Sequence, residues 1–292
     1  MHKSGFINII GNPNVGKSTL MNCLVGEKLS IITSKAQTTR HRILGIVNGD
    51  DFQLIFSDTP GIIKPTYELQ NSMMDFVKSA LDDADVILYM IEIGEQSIKD
   101  MEVHKKILSA KVPTLILLNK IDLSNQQQLE IEMNNWSKMY PNCDIYPISA
   151  LNNFNIEKVI NRIIELIPKS PPYFPKDQLT DKPERFFVNE KLREKILLYY
   201  DKEIPYSVEV VTEEFKEEES IIKIRSKILV ERESQKGIII GHKGVALKKI
   251  GTKARIDLEN FFGKKVFIQL HVKVNKNWRS NSSQLKRFGY RN

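Results

Sequence analysis

Gly11-Asn12-Pro13-Asn14-Val15-Gly16-Lys17-Ser18 is the stretch on which the fold turns. Its G-x-x-x-x-G-K-S spacing is that of a loop whose backbone N–H groups wrap phosphates. An apolar run at residues 6–10 precedes it, and residues 18–24 read as the start of a helix. A helix start carries unsatisfied N–H groups and the positive end of a dipole, so strand, loop and helix in this order form an anion site.

Three further segments follow in order: Asp58-Thr59-Pro60-Gly61, Asn119-Lys120-Ile121-Asp122 and Ser149-Ala150. The second of these names the base. A carboxylate at Asp122 can accept from both the N1–H and the exocyclic amine of guanine, a pair that adenine does not offer. The ordered set predicts a GTP/GDP pocket.

Around these segments the first half alternates strand and helix. Strands are expected at 6–10, 43–47, 52–56, 85–92, 113–119 and 144–148, and helices at 68–81, 98–110, 126–140 and 156–167. Residues 48–51, Asn-Gly-Asp-Asp, read as a hairpin turn that makes one antiparallel pair in a mostly parallel sheet. All four segments then fall at carboxyl ends of strands, where open α/β sheets bind ligands.

At 292 residues the chain has length for two domains. Prolines at 168, 171, 172 and 175 break the pattern and read as an extended, semi-rigid linker. The expected division is a G domain at 1–168, a linker at 169–182 and a second domain at 183–292. Charge follows that division: from Ser220 onward there are 18 Lys and Arg against 4 Asp and Glu. Such an excess is the footprint of a phosphate-backbone partner. Two cysteines exclude a disulfide framework and suit a reducing compartment. No run approaches a membrane span, and the N-terminus leads directly into a strand, so a cytoplasmic protein is expected. The histidines show no ligand spacing, and no zinc site is expected.

The second half reads as helix 185–200, strands 207–215 and 221–230, then a second motif. Gly241-His242-Lys243-Gly244 follows the apolar residues 238–240 and precedes a basic helix, with a long helix at 252–262 and a last strand at 265–274. A G-x-x-G loop in that helix–strand–strand–helix–helix–strand order is the core of a type II KH domain, whose loop clamps a single-stranded backbone. Gly241, His242, Lys243, Gly244, Lys248 and Lys249 are the expected RNA contacts. The acidic run 213–219 reads as a solvated hairpin tip.

The chain resembles the Era family of bacterial GTPases, which join a Ras-like P-loop G domain to a C-terminal KH domain. Residues 35–42, Lys-Ala-Gln-Thr-Thr-Arg-His-Arg, resemble that family's switch I. The resemblance implies binding near the 3′ end of 16S rRNA, a part in 30S subunit maturation, and a loose peripheral association with the inner membrane; a monomer is expected. Asn12 departs from the family's commoner Arg and is expected to face away from the loop's glycines and lysine.

Expected roles follow. Lys17 contacts the β- and γ-phosphates, Ser18 and Thr39 give their hydroxyls to Mg²⁺, with Thr39 preferred to Thr38, and Asp58 holds the metal through a water. Gly61 N–H senses the γ-phosphate, and Gly11, Val15, Gly16 and Thr19 complete the phosphate contacts. Asn119 and Asp122 read the base, Lys120 covers its face, and Ser149 and Ala150 close the pocket. Ile62 stands where Ras-type enzymes place a glutamine that orients water, so intrinsic hydrolysis should be slow. Asn14 is a candidate for helping to bind K⁺ in place of an arginine finger. Two other classes stay open: an RNA binder with a purely structural nucleotide pocket, and a G protein with a KH spacer.

Overall fold

The computed structural model describes residues 1–95 and 101–291. They form two compact units, one of Met1–Thr66 with Gln70–Asp181, the other of Tyr67–Leu69 with Lys182 onward.

In the first unit six strands order as β2-β3-β1-β4-β5-β6. They are β1 (Lys3–Gly11), β2 (Ile43–Asn48), β3 (Phe52–Asp58), β4 (Val86–Glu92), β5 (Thr114–Asn119) and β6 (Asp144–Pro147). β2 runs antiparallel to β3, and the other pairs are parallel. The helices are α1 (Lys17–Val25), α2 (Glu68–Asp82), α3 (Met101–Leu108), α4 (Gln126–Met139) and α5 (Ile156–Leu166). The helix expected at 98–110 therefore begins in part outside the described residues.

Period-2 alternation explains why the sheet is covered on both faces. On β4, Val86, Leu88 and Met90 join Leu20, Met21, Val159 and Ile163 from α1 and α5. Ile87, Tyr89 and Ile91 face the other way, toward Val77 of α2, Val103 of α3 and Trp136 of α4. The strands that carry ligand-binding loops are thereby clamped on two sides.

Residues 169–181 lie along this unit and not free of it. Ile46 N donates to Leu179 O at 2.8 Å, and Leu44 N donates to Asp181 Oδ1 at 3.0 Å. Gln53 anchors the proline-rich part by accepting from Tyr173 N and Phe174 N. The segment satisfies the open edge of β2, a device that shields an edge strand from other chains.

The second unit has a three-stranded sheet, β7 (Glu209–Glu217), β8 (Ile221–Val230) and β9 (Lys265–Val274), with β7–β8 antiparallel and β8–β9 parallel. Its helices are α6 (Glu184–Tyr199), α7 (Glu233–Ile240), α8 (Val245–Phe262) and α9 (Ser282–Arg287). Leu192, Ile196, Ile239, Ile250 and Leu258 pack on Ile222, Ile224 and Val266.

Two expectations change here. The acidic run is a hairpin tip only at its end: β7 continues through Glu217, with a bulge between Thr212 and Glu214, and Glu218 and Glu219 form the tip, Glu218 N donating to Ile221 O at 3.0 Å. Glu213 pairs with Lys227, Glu214 with Arg225 and Glu217 with Lys264. The carboxylates thus neutralise cations of the neighbouring strand and loop. The chain also continues past β9, the last element expected from the sequence, into α9. Trp278 is fully buried, its Nε1 donating to Ser207 O at 2.9 Å, and the buried Tyr290 hydroxyl donates to Glu209.

Candidate functional site

The phosphate loop joins β1 to α1. Gly16 has φ +104°, and a Cβ there would stand 2.4 Å from Asn119 Nδ2, so only glycine fits. Lys17 is buried, its Nζ donating to Gly11 O at 3.0 Å and Asn12 O at 2.8 Å. Burial pushes its amine down to about 8 despite the nearby Asp58 and Glu95 carboxylates. Asn12 does not face away from this loop. It is 4% exposed, supplies a carbonyl to Lys17, and its Nδ2 donates to Glu95. Asn14 lies at positive φ and donates Nδ2 to Ser34 O at 3.0 Å.

Three hard oxygen donors converge beside the loop. Ser18 Oγ lies 2.9 Å from Thr39 Oγ1 and donates to Asp58 Oδ2 at 2.7 Å. Thr39 Oγ1 reaches the same carboxylate oxygen at 3.4 Å. Thr38 turns elsewhere, to Lys35 O and Thr33 Oγ1. Asp58 is fully buried, and burial raises its carboxyl pKa against the lowering effects of Ser18, Lys17 and Thr39. Its Oδ1 makes no hydrogen bond. A buried carboxylate with an orphaned oxygen beside two hydroxyls fits a small hard cation such as Mg²⁺.

A cavity of about 560 Å³ opens here, with Pro13, Lys17, Ser18, Thr19, Thr39 and Gly61 among its walls. The base-reading segment reaches it through Lys120, whose Nζ pairs with Glu92 at 2.8 Å. Asp122 is exposed and accepts from Ser149 Oγ. Asn119 is bonded through both atoms of its amide. Its Nδ2 donates to Val15 O at 2.7 Å, and its Oδ1 accepts from Ala150 N at 2.9 Å. Its amide braces three loops together. Val15 contributes only backbone, its side chain lying in the core. Ile62 is 1% exposed and also points into the core.

In the second unit, Gly241 (φ +71°) and Gly244 (φ +77°) frame an exposed turn holding His242 and Lys243. A groove of about 500 Å³ runs from Gly244 between α8 and β9, with Lys248, Gly251, Arg255 and Phe267 among its walls. Phe267 is 55% exposed, a flat apolar face suited to stacking a base. Lys248 and Lys243 have no ion pair among the described residues. Lys249 is absent from these walls; a turn of α8 places its Nζ 4.3 Å from the Tyr199 ring centroid. Arg255 and Phe267 carry no local sequence signal, because only the packing of α8 on β9 puts them beside the loop.

Family models match residues 6–120 as a 50S ribosome-binding GTPase and residues 203–279 as a KH domain. GTPase Era of Syntrophus aciditrophicus (strain SB) is 46% identical over 99% of this chain and 96% of its own length. The chain belongs to the GTPase Era family. GTPase Era of Clostridium kluyveri matches at 44% identity over all of both chains. Two solved Era structures superpose on it at 39% identity, each covering 99% of both chains. One is Era in complex with MgGDPNP and nucleotides 1506–1542 of 16S ribosomal RNA, at TM-score 0.95. The other is a variant of Aquifex aeolicus Era bound to GDP·AlF₄⁻, at 0.94. As an Era-family member the chain is a GTPase, with a Ras-like P-loop domain and a KH domain.

Proposed function

We propose that this chain is a GTP-driven switch that binds 16S rRNA near its 3′ end through its KH groove and assists 30S subunit maturation. The observation that carries the reading is the coexistence of two intact sites: the Ser18–Thr39–Asp58 oxygen cluster beside Lys17, and the G-x-x-G turn opening on a basic, apolar-floored groove. The full-length likeness to an Era bound to both ligands supports it. The working division is a G domain at 1–168, a connecting segment at 169–182 and a KH domain at 183–292. The protein acts as a monomer in the cytoplasm. Contact with the inner membrane is peripheral; among the described residues no helix is long and apolar enough to cross a membrane.

Lys17 leaves the loop carbonyls to neutralise the β- and γ-phosphates of GTP. Ser18, Thr39 and Asp58 would hold Mg²⁺, which would supply positive charge to neutralise the phosphates. Gly61 N–H meets the γ-phosphate, Asp122 selects guanine, Lys120 covers its face, and Ser149 with Ala150 closes the pocket. Asn14 keeps its Oδ1 as an acceptor toward K⁺. On the RNA side, Gly241, His242, Lys243 and Gly244 clamp the backbone and Lys248 adds charge. Thr39 ties the switch segment to the bound state, and hydrolysis releases it.

Crosslinking in cells, followed by sequencing of bound RNA from GTP-locked and GDP-bound protein, tests this reading. Enrichment of the 16S 3′ end in the GTP-locked sample is expected. Enrichment of unrelated RNA in both samples would refute it.

A further inference from the structure

Arg42 closes the switch segment, three residues after Thr39 and one before β2 begins. Its guanidinium bonds to three different elements. Nε donates to Ser57 Oγ at 2.7 Å, and the terminal nitrogens grip the Asp83 carboxylate at 2.5 and 2.9 Å. Nη2 also donates to Asn8 Oδ1 at 3.2 Å. Asn8 is itself fixed, its Nδ2 donating to Ala80 O and to Asp83 Oδ1.

The places of these partners give the cluster its meaning. Asn8 and Ser57 are fully buried and face each other in register across β1 and β3. Asn8 stands three residues before Gly11, Ser57 immediately before Asp58, and Asp83 immediately after α2. One side chain therefore spans the strand that carries the phosphate loop, the strand that carries Asp58, and the end of α2. An exposed ion pair alone would carry little meaning. Here the Arg42 side chain is 15% exposed, its fork is bidentate, and two further bonds go to fully buried groups. Such a fork fixes orientation as well as distance.

We propose that Arg42 is a positioning residue for GTP hydrolysis. It anchors the C-terminal end of the switch segment so that Thr39 Oγ1 stays with Ser18 and Asp58, and Asp83 acts through it. The inference rests on Thr39 serving the GTP-bound state, as proposed above. Its effect falls on GTP and on turnover, because GDP lacks the γ-phosphate that the switch segment serves.

The test uses the full chain carrying Arg42→Ala, Arg42→Lys, Asp83→Ala, the Arg42→Ala/Asp83→Ala double change, and Thr39→Ala. Melting temperature, GDP affinity, affinity for a non-hydrolysable GTP analogue, kcat and KM are measured for each. Arg42→Ala should keep GDP affinity within about twofold yet lose about tenfold or more in kcat and analogue affinity, since small misplacements are costly. Arg42→Lys should restore part of the loss, and the double variant should be no worse than Arg42→Ala. Equal losses for GDP and analogue, or an unchanged kcat where Thr39→Ala loses it, would overturn the proposal. Thr39→Ala without a GTP-selective loss would instead refute the reading of Thr39, and the role of Arg42 with it.

Discussion

Asn119 Nδ2 donates to the carbonyl of Val15 across 104 positions of sequence, at 2.7 Å. With the Ala150 N–H held on its Oδ1, this one amide fastens the base-reading loop to the phosphate loop. Asn119 and Asp122, three positions apart in one motif, are therefore expected to do different work. Asp122→Asn should move preference from guanine toward xanthine nucleotides, because one acceptor becomes a donor. Asn119→Ala should weaken all nucleotides alike and lower the melting temperature, since it leaves a buried carbonyl and N–H unpaired at about 1–3 kcal/mol each. Competition with GTP, XTP and ATP separates the outcomes; unchanged GTP preference in Asp122→Asn would remove that residue from the pocket.

Restoring the Ras-type glutamine should not restore Ras-type catalysis. Ile62 is buried among Val77, Ile87 and Ile116, so Ile62→Gln should cost about 2–3 kcal/mol of stability through an unpartnered amide. Turnover should not rise. K⁺ should accelerate hydrolysis relative to Na⁺ in the wild type, and Asn14→Ala should lose that acceleration. Faster hydrolysis by Ile62→Gln, or a K⁺ effect that survives Asn14→Ala, would contradict this account of the site.

Lys17 gives nucleotide affinity a pH dependence with a definite sign. Its amine titrates near 8 in the free protein, and phosphate contact favours the charged form and raises that value. Binding therefore takes up a proton above pH 8 and none well below it. GDP affinity measured in EDTA should be flat from pH 6.5 to 7.5 and then fall, by up to about tenfold per pH unit. Lys17→Arg, which stays charged, should abolish the fall at the cost of weaker binding overall. A fall that persists in Lys17→Arg would assign it to another group.

What the sequence made legible was chemistry that is local in the chain. The phosphate loop, Asp58, Asp122 and the G-x-x-G turn each show their purpose within a few residues, and the strands between them stand out as short apolar runs. What it hid depends on contacts between distant positions. Asn12 meets Glu95 and Asn119 meets Val15 only once β1, β4 and β5 are side by side. The run 213–219 reads as a tip throughout because its charges repel in isolation, yet only Glu218 and Glu219 form one; the partners of Glu213, Glu214 and Glu217, Lys227, Arg225 and Lys264, come from the neighbouring strand and from the turn before β9. For α9 a signal was present: Asn281 caps Gln284 N, and a Trp and a Tyr stand in an otherwise basic tail.

The two glycines of the KH turn should separate fold from function. A Cβ on Gly241 would stand 2.6 Å from that of Ala246, at φ +71° and ψ 178°. Gly241→Ala should therefore destabilise the KH unit, by about 1–3 kcal/mol. Gly244 has no neighbour within 4 Å of such a Cβ. Gly244→Asp should cost only about 1 kcal/mol, through the strain of a side chain at φ +77°, while it sharply reduces RNA affinity and spares GTP affinity. Equal RNA binding by Gly244→Asp and wild type would take the turn out of the interface.

The most direct measurement is the affinity of the wild-type protein for an RNA spanning the 3′ end of 16S rRNA, with a GTP analogue and with GDP. Salt must be fixed, because cations such as Lys243 and Lys248 make binding salt-dependent. The GTP form should bind at least about fivefold more tightly, within the usual range of coupling between two sites, and the RNA should tighten analogue binding by the same factor. Equal RNA affinity in the two nucleotide states would mean a GTPase and an RNA binder that merely share a chain.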